Sequence, residues 1–183
     1  MKIKQAIQKL HKGTTMSKID IEVTTSNVLP NNPLEYDVIL VTDRNYTLDK
    51  YDIFSTGIEL YGTNKEIPPG YVTTISTGIK TYVQPPFCFQ IHSLPNLIST
   101  GLVLLNNSSL IGPSECGEIK LQIANFTHNK VLVHYGQTYG QLSVTTYIPV
   151  VQSQLWIPKK VSLLFIKSKA IFESWETLEI NRK

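Results

Sequence analysis

A chain of 183 residues with 42% apolar side chains is long enough for one ordinary globular domain with a sizeable core. No apolar run approaches the roughly 20 residues of a membrane-spanning helix, and the amino terminus lacks the apolar stretch of a signal peptide. We therefore expect no membrane span and a protein that is intracellular when made, in a compartment that the sequence does not specify. The net charge of +3 is modest, and five lysines that precede the first acid place much of the basic character at the amino terminus.

Residues 1–18 are predicted to form a basic amino-terminal arm. Ile3, Ile7 and Leu10 recur at the i, i+4, i+7 spacing of an amphipathic helix, with lysines around them. Such an arm suits an acidic protein partner, a nucleic acid or an anionic membrane surface. The alternative is a solvated chain end with no docking role. Nothing else in the chain indicates nucleic-acid binding, so we do not predict it.

Residues 19–158 are predicted to form an all-β domain. Short runs rich in Val, Ile, Thr and Tyr, such as VILVT, FCFQI and KVLVHY, are separated by turn-forming segments such as LPNNP, PPG and QPP. This pattern favours a sandwich, a jelly roll or a barrel. Between Thr81 and Pro158 the charged side chains, histidines aside, are Glu115, Glu118, Lys120 and Lys130. So few charges over such a length indicate burial in an oligomer.

The last segment, residues 159–183, is predicted to be an extension made of a short strand and a short helix. VSLLFIKS has the composition of a strand. Behind Ser168, a candidate helix cap, Ile171, Trp175 and Leu178 follow the i, i+4, i+7 spacing of a helix.

Metal, cofactor and nucleophile motifs are not apparent in the sequence. Cys88 and Cys116 stand alone, without the paired spacing of a zinc site, and are expected to be reduced residues of a core or interface. The four histidines are scattered, and no glycine-rich phosphate-binding motif occurs. We predict no cofactor.

Three blocks of the β domain resemble the trimeric dUTPases, in the order and with the gaps of that family. They are GIELYGTNKEIPPGYVTTISTGI, SLIGPSECGEIKLQIAN and YGQTYGQL. The residues that carry the resemblance are Gly57, Glu59, Pro68, Pro69, Gly70, Thr77, Gly78, Gly117, Glu118, Gly136, Gln141 and Leu142. It implies a dUTPase-like jelly roll or distorted β-barrel that assembles as a homotrimer. These positions are also turn and strand-end residues that any copy of the barrel needs.

The same resemblance implies that the catalytic parts are lost. The hairpin aspartate that orients the attacking water in the family falls on Gly112, and the aromatic residue that packs under the sugar falls on Glu115. No arginine lies near Leu94, where the family has a phosphate-binding arginine and serine. The glycine-rich tail that closes over the triphosphate is absent, since Gly140 is the last glycine. Glu59 and Asp52 are the remaining candidates for the metal-side acid.

Three hypotheses follow. The first, which we favour, is an inactive dUTPase-like protein with a structural or protein-binding role. The resemblance suggests a viral protein of this kind, a capsid or virion-associated component with other virion proteins as partners. The second is a divergent active dUTP diphosphatase that hydrolyses dUTP to dUMP and pyrophosphate with Mg²⁺, using Glu59, Glu115 or Glu118. The third is an unrelated viral jelly roll in which the three blocks match by coincidence.

Overall fold

The computed structural model describes residues 20–46, 48, 58–113, 115, 117–146 and 160–175. The arm at residues 1–18, Asp52, Gly57, Cys116 and Leu178 lie outside the described residues, as do both predicted segment boundaries, after residues 18 and 158. Within the described ranges no helix is both long enough and apolar enough to cross a bilayer.

Twelve strands and two short helices make up the described part, so the predicted all-β class is confirmed. The strands are β1 Asp20–Ser26, β2 Val38–Thr42, β3 Ile58–Tyr61, β4 Lys65–Ile67, β5 Val72–Val83, β6 Phe87–Ser93, β7 Leu102–Leu104, β8 Leu110–Ile111, β9 Gly117–Asn125, β10 Val131–Val133, β11 Thr138–Thr146 and β12 Lys160–Lys167. The helices are α1 Pro95–Ser99 and α2 Lys169–Ser174, and a 3₁₀ turn spans Pro33–Glu35.

The strands form three sheets. The largest has six strands in the order β1-β12-β2-β5-β9-β7, a second has the order β3-β11-β6-β8, and β4 pairs with β10. In the six-stranded sheet, β1, β12 and β2 run parallel to one another, whereas β5 and β9 are antiparallel to their neighbours. One continuous core lies between the sheets and includes Phe89, Leu121 and Leu163.

The sequence pattern of each strand reflects what covers it. In β9 the side chains alternate: Ile119, Leu121 and Ile123 are buried in the main core, and Lys120 and Gln122 are exposed. This alternation is typical of a strand with one solvated face. In β2 and β12 the apolar residues are continuous because both faces of the sheet are covered there.

A second apolar cluster covers the outer face of β2 and β12. Ile39, Val41, Leu164 and Ile166 point away from the main core and contact Trp175, with Ile171 and Phe172 of α2 packed alongside. Ser168 caps α2 as the sequence indicated, since its hydroxyl accepts a hydrogen bond from the Ile171 N–H.

The β-prone runs VTTIST and IKTYV belong to one strand, β5, which continues through an irregular pairing with β9 between Ser76 and Lys80. A short helix, α1, follows β6. Five residues are too few for a helical period to be visible in the sequence.

Trp175 is 4% exposed and should anchor α2 to the sheet. We predict that Trp175→Ala lowers the free energy of unfolding by about 3–5 kcal/mol, because it leaves a large cavity over β2 and β12. Chemical denaturation monitored by circular dichroism measures the change. Glu173→Ala is the matched control on the exposed side of α2, and we expect it to stay within about 0.5 kcal/mol of wild type. Equal stability of the two variants would show that α2 does not dock on the sheet.

Candidate functional site

The family-like hairpin borders a pocket of about 510 Å³. Strand β8 precedes this segment in the four-stranded sheet and β9 follows it in the six-stranded sheet, so the two strands do not pair with each other and the expected hairpin is a connection between the two sheets. The pocket lies between β8, β9 and β6. Its lining is mixed: Ile91, Ile111 and Ile119 supply apolar surface, and Glu115 and Lys120 supply charge. The volume is in the range of small-molecule sites, which extends from about 300 to 1,000 Å³.

Gly112 begins the hairpin turn, whose closing hydrogen bond runs from the Glu115 N–H to the Gly112 carbonyl at 3.0 Å. The turn does not require glycine. Gly112 is not among the glycines with positive φ, and a Cβ atom at this position would meet no atom within 4 Å. The backbone would therefore accommodate a side chain, including the aspartate of the family pattern.

Glu115 closes the same turn, is exposed and lines the pocket. A carboxylate replaces the expected aromatic ring there, so the pocket has a hydrated negative group where a stacking surface would be.

Glu118 has a structural position in the irregular part of β5. Its carboxylate accepts hydrogen bonds from the Gly78 N–H at 2.9 Å and from the Ser76 hydroxyl. The Thr77 hydroxyl donates to the Ile119 carbonyl at 2.6 Å, and the Thr42 hydroxyl donates to the Gly78 carbonyl at 2.8 Å. These contacts hold β5 against β9 and β2 through its two-residue irregularity.

Tyr46 and Arg44 complete this network, and sequence reasoning missed both as site residues. The Tyr46 hydroxyl donates to the Thr77 carbonyl at 2.7 Å, and burial raises the pKa of Tyr46 to about 12. The Arg44 guanidinium lies 5.7 Å from the Tyr135 ring centroid and 3.8 Å from the Asp43 carboxylate. The only sequence signal was that Arg44 is one of two arginines in the chain.

Leu94 lies immediately before α1 and is half-buried. The Ser93 N–H beside it donates to the Asn107 side-chain carbonyl at 2.8 Å. The segment from Ser93 to Leu97 thus contributes no cationic side chain, and Leu97 is fully buried as an anchor of α1.

Glu59, the described candidate for the metal-side acid, lies on β3 opposite Gln141 of β11, and Gln141 lies opposite His92 of β6. Its carboxylate is exposed and accepts a hydrogen bond from the Thr138 hydroxyl at 3.1 Å. Among the described residues, no three His, Cys, Asp or Glu side chains are grouped closely enough to hold a metal ion. Asp52, the other candidate, lies outside the described residues.

The remaining motif residues build turns and core. In the IPPG turn, which includes Pro69, the Tyr71 N–H donates to the Pro68 carbonyl at 3.2 Å and the Gly70 N–H to the Asn125 carbonyl at 2.8 Å. Gly70, Gly78 and Gly136 have φ values of 73°, 69° and 78°. In this left-handed region glycine is strongly favoured. Leu142 belongs to the main core, and Gly117 begins β9.

The predicted residues thus fall into separate groups. Glu118 and Gly78 meet in the six-stranded sheet, whereas Glu59 and Gln141 meet in the four-stranded sheet. Leu94 is at the start of α1, and Gly112 and Glu115 are at the tip of the hairpin.

The sequence and the structure were each compared with known proteins. No family model matches the sequence. The chain is 27% identical over 123 residues to a deoxyuridine 5'-triphosphate nucleotidohydrolase of Ehrlichia canis, a match that covers 64% of this chain and 80% of the relative. The crystal structure of the Streptococcus mutans dUTPase matches 62% of this chain and 98% of its own, with 22% identity and a TM-score of 0.50. The EIAV dUTPase matches 68% of this chain and 99% of its own, with 19% identity and a TM-score of 0.53.

The strands and their order define the dUTPase-like all-β fold, as the sequence predicted. The similarity in sequence to the Ehrlichia canis enzyme agrees with this likeness in fold.

Gly78 should be the least replaceable of the turn glycines. A Cβ there would overlap the Arg44 side chain and the Asp43 carboxylate, in addition to the strain of a φ of 69°. We predict that Gly78→Ala lowers the free energy of unfolding by about 3 kcal/mol or more, from backbone strain of about 1–2 kcal/mol and overpacking of about 1–3 kcal/mol. Denaturant titration measures the loss.

Gly70→Ala is the matched control, because Gly70 has a similar φ of 73° but no atom lies within 4 Å of the place that an alanine methyl group would take. It should cost about 1–2 kcal/mol from strain alone. If the two variants lose the same stability, the close contacts around Gly78 do not constrain the fold.

Proposed function

We propose that this chain is a catalytically inactive protein with a dUTPase fold, and that it serves as a homotrimer in a structural or protein-binding role. The observation that carries the proposal is the turn from Gly112 to Glu115. The turn is formed and hydrogen-bonded, but it has no carboxylate at position 112 and no aromatic ring at position 115, where the family resemblance implies them.

No neighbouring acid in the described part of the hairpin takes the place of the missing aspartate. General-base catalysis needs a group within hydrogen-bond reach of the water that it activates. Glu118 already accepts hydrogen bonds from Gly78 and Ser76, inside the sheet irregularity. Glu115 is exposed beyond the closing hydrogen bond of the turn.

The one arginine in the described part of the chain, Arg44, is in a position that does not suit a phosphate clamp. Arg44 is engaged between Asp43 and the Tyr135 ring, with 13% of its side chain exposed. Bidentate recognition of phosphate depends on the planar guanidinium group, which a lysine does not reproduce.

The carboxyl-terminal segment also supports the proposal. After β12, helix α2 folds back onto the outer face of the same sheet, where the Lys80 ammonium donates to the Phe172 carbonyl at 3.0 Å and lies 4.6 Å from the Phe172 ring centroid. A segment fixed in this way differs from a glycine-rich tail that closes over a triphosphate.

The alternative is an active dUTP diphosphatase. Its support is the sequence similarity to the Ehrlichia canis protein, whose name is that of a deoxyuridine 5'-triphosphate nucleotidohydrolase. Turnover of dUTP distinguishes the two proposals.

We predict that the purified protein with Mg²⁺ does not hydrolyse dUTP at a measurable rate. Loss of a positioned base alone removes a factor of about 10² to 10⁴, and loss of the phosphate donors removes several kcal/mol more of transition-state stabilisation. Pyrophosphate release measures the rate. Gly112→Asp, which the open space at the turn accommodates, should also be inactive because the phosphate clamp is still missing.

An authentic dUTPase assayed alongside is the positive control. Wild-type turnover faster than about one per minute, still far below the enzyme median of roughly 10 per second, would replace this proposal with the active alternative.

A homotrimer is implied by the family resemblance and supported by an apolar surface, here called the β7 face. Val72 of β5 and Val103 of β7 pair with Ala124 of β9 from its two sides. Leu105, just after β7, donates its N–H to the Gln122 carbonyl of β9. Tyr71 and Phe126, at the same end of these strands, are 64% and 69% exposed. A contiguous apolar surface of this kind is typical of an interface between subunits.

We predict that the wild-type protein sediments as a trimer and that the double variant Val103→Asp with Leu105→Asp sediments as a monomer, because it buries charge in the interface. Analytical ultracentrifugation measures both. Leu132→Asp is the control, since Leu132 is 50% exposed on β10, which belongs to a different sheet from β5, β9 and β7. A wild-type monomer, or a trimer of the double variant, would contradict the assignment of this surface.

The proposed structural role extends to a viral one, as a capsid or virion-associated component with other virion proteins as partners. The family resemblance is its support, and a compact trimer without catalytic duties suits a repeated building block. Detection of the protein in purified virions of its source would test it.

A further inference from the structure

The carboxyl ends of three parallel strands meet at one edge of the six-stranded sheet. β1 ends at Ser26, β12 ends at Lys167 and β2 ends at Thr42, and the registers place Ser26 beside Ile166 and Lys167 beside Thr42. In open α/β sheets, ligands commonly bind at the carboxyl ends of the parallel strands. The three parallel strands of this mixed sheet likewise direct their following segments to one side.

A pocket of about 310 Å³, here called the carboxyl-edge pocket, lies at this position. Its apolar surface comes from Tyr46, Leu48 and Phe165, and its polar surface includes Thr25, Asn27 and Lys167. It shares no lining residue with the pocket beside the hairpin, so it is a second site within the described residues.

Three polar groups of this pocket have no partner among the described residues. The Thr25 hydroxyl, the Asn27 amide and the Lys167 ammonium make no side-chain hydrogen bond or ion pair there. The other polar groups are engaged: the Ser26 hydroxyl bonds to the backbone of Val28, and the Tyr46 hydroxyl bonds to Thr77. Within the described part of the chain, the donors open to a ligand therefore include one positive charge and an amide, next to two aromatic rings.

Among the described residues, the charge that lines the pocket is positive. Asp43 follows β2 at the same edge of the sheet, but its carboxylate lies 3.8 Å from the Arg44 guanidinium and does not line the pocket. Within the described ranges, Lys167 is the charged side chain that lines it. An ammonium beside neutral donors is a suitable environment for a carboxylate or a phosphate group.

We propose that the carboxyl-edge pocket binds a small organic anion. The Lys167 ammonium and the Asn27 and Thr25 donors take its carboxylate or phosphate group, and Tyr46 and Phe165 contact its compact apolar body. The volume suits a ligand of about one ring, near the lower limit of small-molecule pockets. Among the described residues, this pocket shares no lining residue with the pocket beside the hairpin. A test of anion binding is therefore separate from a test of the inactive-enzyme proposal.

The test uses the full-length protein and three probes of similar size: benzoate, phenyl phosphate and neutral benzamide. Ligand-observed NMR measures their affinities. We expect at least one of the two anions to bind in the millimolar range or tighter and benzamide to bind about tenfold more weakly, because a charge-assisted hydrogen bond is roughly twice as strong as a neutral one. The stronger of the two anions identifies the head group.

Lys167→Gln should weaken binding of that anion about tenfold. Lys169→Gln is the matched control, because Lys169 lies two residues along the chain, is exposed and pairs with Glu173 at 3.7 Å instead of lining the pocket. Asn27→Asp, which adds a negative charge to the pocket, should weaken binding as well. Absence of binding by both anions, equal binding of benzamide, or equal effects of Lys167→Gln and Lys169→Gln would overturn the proposal.

Discussion

The hydrogen bonds of the Glu118 carboxylate are the contact on which the rest of the sheet depends. They join β9 to the point where β5 carries two extra residues, and they hold Gly78 in a conformation that few other residues adopt. A hydrogen bond to a charged acceptor is stronger than a neutral one, and here it bridges the point where the register of β5 with β9 shifts. The GEI and TGI sequences are therefore required by the fold whether or not the protein is an enzyme.

This contact also explains why one sheet has two different environments. Before the irregularity β5 pairs with β9, which has one solvated face. After it β5 continues beside β9 as far as Gly117 and also pairs, along its other side, with β2, which is covered on both faces. Lys80 lies on the covered side, 8% exposed, and its ammonium is accommodated there by the Phe172 carbonyl and ring. A lysine at this depth needs such partners, since an unpaired buried charge costs several kcal/mol.

Much of the fold could be predicted from the sequence because strands leave a local signal. The alternation in EIKLQIAN and the apolar runs VILVT and VSLLFI each identified a strand, and Ser168 identified the start of α2. The continuity of β5 could not be predicted, because Thr77 and Gly78 look like a break until the Glu118 carboxylate is placed beside them. The position of β12 between β1 and β2 could not be predicted either, since no local pattern encodes which distant strands pair.

The sequence predicted which family residues the candidate site lacks, but it did not predict the contacts of the residues that are present. Gly112, Glu115 and Leu94 are departures from a family pattern and can be read from sequence alone. That Gly112 has open space around it, and that Glu118 is already hydrogen-bonded, depend on three-dimensional neighbours. The carboxyl-edge pocket was missed for the same reason, because Asn27 and Lys167 are 140 positions apart in the chain and only the parallel pairing of β1 with β12 brings them together.

That pairing has a consequence for the order in which the protein folds on the ribosome. Asp37 and Ser162, whose side chains and backbones bond across β2 and β12, are 125 residues apart. The parallel hydrogen bonds of β1 and β2 can form only after β12 has been synthesised, because β12 follows both strands in the chain. Pairings this distant in sequence are slow to form. Until translation reaches β12, β1 has no partner in this sheet and β2 is an open edge that needs protection from other nascent chains.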